Sequence, residues 1–164
     1  MQKISIRLTD RHDVMIRTIA LGDLENLRMW KNAHRMYFFH QQEIQSAQQL
    51  QWHAGYLQRP HDYMFIVEAE GCAIGCMGIR LQLAEWDVYN VILGVTEMAG
   101  RGLMGRAFQL MLGFAWHQQP RPINLQVLKL NPAIGWYQKN GFSVTSDGGD
   151  HFVMRHSSAP TERA

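Results

Sequence analysis

Glycines and arginines alternate in one short segment of the chain, residues 100–106. Its glycines are Gly100, Gly102 and Gly105, and its arginines are Arg101 and Arg106. Glycine lets a backbone approach a ligand closely and adopt positive φ angles. A helix predicted to start here would direct unpaired N–H groups at the same point, and the arginines add charge-assisted donors. The segment therefore predicts a phosphate-binding turn, with a tight strand-to-helix connection as the alternative.

Two better-known phosphate motifs fit this segment poorly. A P-loop requires Gly-Lys-Ser/Thr, which does not follow. The dinucleotide pattern Gly-x-Gly-x-x-Gly is matched, but it lies late in the chain rather than in an opening βαβ unit. The strand predicted next, Ile123–Leu128, ends without the acidic residue that would bind a ribose. Both observations argue against a dinucleotide site.

The second chemical motif is the run NPAIGWYQKNGF, from Asn131 to Phe142. Its Ala-Ile-x-x-Tyr-x-Lys-x-Gly-Phe pattern resembles the C-terminal motif of the GNAT N-acetyltransferases. The Gly-Arg-Gly-Leu-Met turn is similar to the loop with which that family binds the pyrophosphate of coenzyme A. Both motifs stand in the expected order on the expected elements, and the resemblance covers most of residues 14–155.

The resemblance implies acetyl-CoA as cosubstrate and no metal. It assigns Tyr137 to the coenzyme A sulfur. The cofactor-binding residues that it implies lie at the end of one strand and in the turn that follows: Leu93, Gly94, Val95, Gly100, Arg101, Gly102, Met104, Gly105 and Arg106. The sequence departs from the family pattern at Ala99, at Met104 and in the spacing of Asn131 to the tyrosine.

Amine acetylation gives the tyrosine a chemical role. A neutral amine attacks the thioester carbonyl and a thiolate leaves. A thiol has a pKa of ~8.5 and a tyrosine ~10, so a hydrogen bond that strengthens as charge develops suits Tyr137 better than full proton transfer. The alternative is a purely structural aromatic on an amphipathic helix, beside Ile134 and Trp136.

The sequence does not identify the general base. Glu85 and Asp87, which open the strand before the glycine-rich turn, and Glu97, which follows it, are the candidates. A surface location is the alternative for each of these carboxylates. Gln126 faces the expected cleft, but an amide accepts no proton.

The acceptor amine should be selected by the segment from Trp30 to Trp52, where aromatic and polar side chains alternate. Such a cluster can stack on a sugar or a base, or it can plug the core between two helices. The Trp-Lys-Asn start and the later Gln-Trp resemble acetyltransferases of nucleotide-linked amino sugars, which is the acceptor that we predict. The Gly-x-Gly-Leu-Met turn also resembles acetyltransferases of protein N-termini, including ribosomal ones. An inactive coenzyme A-binding module remains a further alternative.

Hydrophobic periodicity predicts the elements that position these residues. Strands are expected at 14–19, 63–68, 73–83, 87–95, 123–128, 142–145 and 152–155. Helices are expected from Asp23 as N-cap, from Ser46 with Gln49 in a capping box, over 103–118 and over 132–139. The apolar stripe of the second helix, and so its expected buried face, consists of Leu50, Ala54 and Leu57. The fold class is α/β: a GNAT-like mixed, mostly antiparallel sheet flanked by helices and splayed at its central strand pair.

The length of 164 residues suits one domain. We expect an arm or edge strand over residues 1–13, the acetyltransferase domain over 14–156 and a flexible tail over 157–164. A net charge of +2 gives no support for nucleic acid or an anionic membrane as partner. The eight histidines and two cysteines lack metal-ligand spacing, and Cys72 and Cys76 are too far apart on a strand for a disulfide. The sequence thus predicts a cytoplasmic monomer or homodimer that acts on a small-molecule amine.

Overall fold

The computed structural model describes residues 3–156, which form eight strands and four helices. The strands are β1 (Arg7–Thr9), β2 (Val14–Thr18), β3 (Asp62–Ala69), β4 (Cys72–Gln82), β5 (Glu85–Leu93), β6 (Ile123–Leu128), β7 (Phe142–Asp147) and β8 (His151–His156). The helices are α1 (Leu24–Ala33), α2 (Ser46–Gln58), α3 (Leu103–Gln118) and α4 (Ile134–Lys139). Short 3₁₀ turns precede α1, follow α1 and follow β5.

All eight strands join one sheet in the order β1-β2-β3-β4-β5-β6-β8-β7. Every neighbouring pair is antiparallel except β5 and β6, which are parallel. The connection between these two strands is α3, as a parallel pair requires a crossover. The mixed, mostly antiparallel α/β sheet predicted from the sequence is therefore confirmed.

The two faces of the sheet carry separate cores. On one face α3 and α4 cover a large cluster that includes Trp86, Phe108 and Met111. On the other face α1 and α2 cover a smaller cluster that includes Leu27, Tyr56 and Ile92. Any group that passes between β5 and β6 would therefore connect the two faces.

The spacing of apolar residues in α3 explains why one side of this helix is fully buried. Its buried residues recur at a spacing near 3.6 and are Leu103, Ala107, Phe108, Met111, Leu112 and Ala115. This apolar stripe holds the start of the helix firmly against the sheet. The glycine-rich turn before it is fixed by the same packing.

The apolar stripe predicted for α2 is wrong, although the helix begins at Ser46 as predicted. Leu50 and Leu57 are 54% and 41% exposed, and Ala54 is exposed as well. Tyr56 and Gln49 are the buried residues instead. The Tyr56 ring fills the space beneath the helix, and its hydroxyl accepts a hydrogen bond from the Met64 amide at 3.2 Å. Tyr56, whose hydroxyl has a hydrogen-bond partner, therefore forms the buried face of α2 in place of the leucines.

Two predicted helix caps are also corrected. The amide of Gln45 donates to Gln48 Oε1 at 2.7 Å, so the capping pair at α2 lies one residue before the predicted Ser46 and Gln49. Asp23 precedes α1 but makes no side-chain cap with it. The Asp23 carboxylate binds Arg17 and the Ala20 amide instead, because the 3₁₀ turn directs it back toward β2.

β1 lies inside the segment that we predicted as an arm or edge strand, and it pairs with β2 at the edge of the sheet. The tail predicted over residues 157–164 lies outside the described residues, as do residues 1 and 2. Within residues 3–156, no helix is both long enough and apolar enough to cross a membrane. The same part of the chain contains no group of three His, Cys, Asp or Glu residues arranged to hold a metal ion.

Candidate active site

β5 and β6 separate after a short stretch of pairing. Only Trp86–Val88 pair with Ile123–Leu125, although β5 continues to Leu93 and β6 to Leu128. We call the space between the unpaired halves the β5–β6 gap. Main-chain groups along both of its sides are free of strand-to-strand pairing with each other.

A bulge in β5 accounts for the separation. Cys76 pairs with Ile92 and Gly78 with Tyr89, so two residues of β5 stand opposite the single residue Met77. One of the two is Asn90, whose φ is +50°, a conformation that asparagine tolerates better than most residues. A bulge bends its strand and increases the local twist. β5 therefore turns away from β6 at this point.

The glycine turn, residues 100–106, follows β5 and a 3₁₀ turn along the chain and leads into α3. Gly100 and Gly102 have φ angles of +79° and +72°, and Gly102 is the N-cap of α3. A Cβ built on either glycine would meet no atom within 4 Å. The turn thus presents open space in front of the first, unpaired amides of α3.

Both arginines of the glycine turn are already paired with carboxylates. Arg101 Nη2 lies 2.6 Å from Glu70 Oε1, at the tip of the β3–β4 hairpin. Arg106 Nη1 lies 2.6 Å from Asp13 Oδ1 and 3.2 Å from Asp10 Oδ2. These acidic partners were not predicted, because all three are distant in sequence. They make the turn less positive than its two arginines alone would suggest.

Tyr137 lies on α4 in the core beneath α3. Only 7% of the residue is exposed, and its ring contacts Phe108 and Phe142 with centroid distances of 6.0 and 6.2 Å. Burial raises the pKa of Tyr137 well above its ordinary value. Among residues 3–156 no group forms a hydrogen bond with its hydroxyl. The side chain is therefore a neutral phenol in the core.

Leu93 and Val95 at the end of β5, Met104 and Tyr137 all face the large core that α3 and α4 cover. The amides of Gly94 and Val95 both donate to the Ile74 carbonyl, at 2.7 and 2.9 Å. Contacts from Gly94 and Val95 to a ligand must therefore use their carbonyl oxygens.

The three candidate bases occupy different environments. Glu85 binds Asn124 and Arg155 where β5 still pairs with β6. Glu97 is exposed in the 3₁₀ turn after β5. Asp87 is partly buried 3.0 Å from Arg80 Nε, and burial raises the pKa of its carboxyl against the opposing effect of the arginine.

The aromatic segment predicted to select the acceptor divides into two parts. Trp30, Phe38 and Trp52 pack against the core beneath α1 and α2. Tyr37 and Phe39 are 37% and 53% exposed. Trp30 and Phe38 thus fit the core-plug interpretation. Trp52 also lines a cavity beneath α1 and α2, and the other two side chains lie at the surface.

A cavity of about 210 Å³ lies between α1, α2 and strands β3 to β5, and we call it the α1–α2 cavity. Lys31, Cys76 and Asn90 are among its lining residues. Sequence analysis missed Lys31 and Asn90. Lys31 falls four residues after Leu27 on the apolar stripe of α1, and asparagine is rare inside strands. A lysine on an apolar stripe and an asparagine inside a strand can both be recognised in the sequence.

Comparison with known proteins supports the sequence resemblance. The sequence model of a family described as "Acetyltransferase (GNAT) domain" matches residues 13–143. No curated protein matches the chain significantly.

Solved structures share the fold at low sequence identity. A domain from Methanocaldococcus jannaschii is 17% identical, with a TM-score of 0.75, over 93% of this chain and 98% of that one. Spermidine N-acetyltransferase from Vibrio cholerae, solved with CoA and spermine, is 19% identical, with a TM-score of 0.72, over 87% and 93%. A ribosomal L7/L12 α-N-protein acetyltransferase, RimL, solved with coenzyme A, is 12% identical, with a TM-score of 0.73, over 92% and 96%.

Proposed function

The chain belongs to the GNAT acetyltransferase family, a class of acetyl-CoA-dependent N-acetyltransferases, and from this premise we propose that it acetylates a primary amine of a small molecule. The single observation that carries the proposal is the β5–β6 gap, with the glycine turn following β5 along the chain. An extended pantetheine arm has the width of one strand, and its amides suit the unpaired main-chain groups along the gap.

The residues around the gap fit this cosubstrate. We propose that the diphosphate binds the first amides of α3, where Gly100 and Gly102 leave room for it. Gly105 and Met104 lie in the first turn of the same helix. Arg101 and Arg106 would then share their charge between the diphosphate and their present carboxylate partners.

Tyr137 is the side chain that we propose to meet the sulfur. Acetyl-CoA supplies an activated thioester, and its thiolate leaves when the amine attacks. A neutral phenol donates a hydrogen bond that strengthens as the sulfur gains charge. Burial favours this role, because it keeps the phenol protonated and the hydrogen bond shielded from water.

The finer points remain predictions from the sequence. The acceptor that we predict there is a nucleotide-linked amino sugar, with a protein N-terminal amine or no acceptor at all as alternatives. The cytoplasmic location and the monomeric or homodimeric state are likewise predictions.

The test combines binding and turnover. We expect acetyl-CoA to bind in calorimetry, and coenzyme A release to depend on an added amine. Tyr137→Phe should lower kcat by about 10-fold to 100-fold, the value of one charge-assisted hydrogen bond, while acetyl-CoA affinity stays nearly unchanged.

Tyr63→Phe is the control, because Tyr63 is a partly buried tyrosine on the α3 face that packs against Phe114, in the second half of α3. A Tyr137→Phe enzyme as fast as the parent would remove the phenol from the mechanism. Absence of acetyl-CoA binding would remove the proposed function altogether.

A further inference from the structure

The α1–α2 cavity borders the same bulge that opens the β5–β6 gap. Asn90 and Ile92 line the cavity, and both belong to the part of β5 that has left β6. The cavity lies on the face covered by α1 and α2, whereas Tyr137 lies in the core on the opposite face. A thioester held in the gap would therefore be approached by an acceptor from the cavity.

Among the described residues that line this cavity, Lys31 is the only lysine or arginine, and His40 is the other basic side chain. The Lys31 ammonium donates a hydrogen bond to Asn90 Oδ1 and stands 3.6 Å from the centroid of the Phe38 ring. An ammonium has three N–H donors, and only this one hydrogen bond is formed within residues 3–156. The Phe38 ring occupies a second N–H group through a cation–π contact, so one donor remains for a ligand.

No carboxylate among the described residues lines the cavity to balance this charge. The groups that act electrostatically on Lys31 are the Cys76 thiol and Arg80. Burial lowers the pKa of Lys31 to about 8, which still leaves the ammonium mostly protonated near pH 7. Burial raises the pKa of Cys76 to about 12, so the thiol stays neutral and supplies no anion.

A partly buried cation without a counter-charge is costly, and a hydrophobic side chain of equal size would avoid the cost. An interaction with a ligand is the natural reason to keep it. The ligand that complements an ammonium with one free N–H donor and no neighbouring carboxylate is an anion, and a polycation would be repelled.

Resting on the proposed function, we infer that Lys31 selects the acceptor: an amine whose skeleton also carries a carboxylate or a phosphate. The anionic group binds the Lys31 ammonium, and this contact directs the amine along β5 toward the gap. The volume of about 210 Å³ suits the amine-bearing end of such a molecule, with any remainder outside.

The test uses matched pairs of acceptors with the intact enzyme and acetyl-CoA. Glucosamine 6-phosphate is compared with glucosamine, phenylalanine is compared with phenylalaninamide, and spermidine serves as the polycation. We expect kcat/KM for the anionic member of at least one pair to exceed that of its neutral partner by about 10-fold to 100-fold. Which pair responds tells a phosphate from a carboxylate.

Lys31→Met should abolish this preference while acetyl-CoA affinity and thermal stability are kept. Lys3→Met is the matched control, because the pKa of Lys3 is also lowered by burial to about 8, and its ammonium lies 3.5 Å from the Tyr56 ring centroid, outside the cavity. The preference should survive in that variant.

Three results would overturn the inference: equal rates within both pairs, faster acetylation of spermidine, or a preference that survives in Lys31→Met. If no acceptor turns over, calorimetry with the coenzyme A-loaded protein decides. Glucosamine 6-phosphate or phenylalanine must then bind the parent and must not bind Lys31→Met. If neither compound binds the parent, the inference is overturned. Acetyl-CoA affinity, measured separately, shows whether the proposed function has failed as well.

Discussion

At the scale of single residues, Arg101 forms an ion pair with Glu70. A diphosphate that binds Arg101 would have to compete with this carboxylate. Both side chains are largely exposed, so the pair contributes little to the free energy of unfolding. Its carboxylate nevertheless competes for the guanidinium that we propose as a ligand of the diphosphate. The pair therefore lowers affinity for acetyl-CoA without being needed for the fold.

We expect Glu70→Gln to tighten acetyl-CoA binding by about 2-fold to 5-fold, since an exposed ion pair is worth up to about 1 kcal/mol. Arg101→Ala should weaken it, and the parent should lose more affinity than this variant when salt is added. Calorimetry at two ionic strengths measures both effects.

Asp147→Asn removes an exposed ion pair with Lys129 outside the glycine turn and should leave the affinity unchanged. Equal affinity in the parent, Glu70→Gln and Arg101→Ala would contradict the diphosphate assignment.

Single residues also show what the sequence could and could not predict of the site. The glycines and Tyr137 are local signals, because a turn or a helix motif spans a few consecutive positions. The partners of Arg101 and Arg106 are not local, since Glu70 and Asp13 reach the turn only through the folded sheet. Lys31 itself is a local signal, because it interrupts the apolar stripe of α1, but its contact with Asn90 on a distant strand is not local.

At the scale of elements, α1 is held directly against the end of β5. A Cβ built on Gly94 would lie 2.1 Å from Trp30 Cε2, so the indole rests on the bare backbone of this residue. The contact joins the wall of the α1–α2 cavity to the strand that borders the gap. A substitution in α1 should therefore affect the end of β5, and a substitution at the end of β5 should affect α1.

Gly94→Ala should lower the free energy of unfolding by about 1–3 kcal/mol, the usual cost of overpacking a fixed contact. Denaturant unfolding measures it. Gly113→Ala in α3 is the control, because a Cβ there meets no atom within 4 Å, and alanine favours a helix.

Adding Trp30→Leu to Gly94→Ala should cost less than the sum of the two single changes. Strict additivity would show that the indole is not the obstacle.

The secondary-structure elements also show which parts of the sequence prediction were right and which were wrong. Strands β2 to β8 were each found within a few residues, because period-2 patterns and turn signals are local. The buried face of α2 was wrong, because Leu50 and Leu57 continue a valid helical stripe and only the neighbouring sheet selects Tyr56 instead. Which face of a helix is covered is decided by its neighbours, not by its own pattern.

At the scale of the whole molecule, Asp23 links the start of α1 to the sheet. Arg17 on β2 donates to its carboxylate at 2.7 and 2.9 Å and also binds Glu68 on β3 at 2.5 Å. Burial alone would raise the pKa of Asp23, but the hydrogen bonds from Arg17 and the Ala20 amide outweigh it, and the pKa is lowered. The carboxylate therefore stabilises the fold in its charged form.

Asp23→Asn should cost about 2 kcal/mol of unfolding free energy at neutral pH. A lowered pKa stabilises the fold above the unfolded value of ~3.9 and ceases to do so as the pH falls through the folded value. The difference between parent and variant should therefore shrink below pH ~4. Denaturant titrations over this range measure it.

Glu97→Gln, at an exposed position, should change nothing at either pH. A difference between parent and Asp23→Asn that is constant with pH would show that the carboxylate acts by shape and not by charge.

The separation of β5 from β6 has a consequence for association as well as for chemistry. Unsatisfied main-chain groups on an outer strand invite pairing with another polypeptide. Here such groups lie inside the sheet, between β5 and β6, and not along an outer strand. Their position therefore gives a second protein no exposed edge along which to extend the sheet.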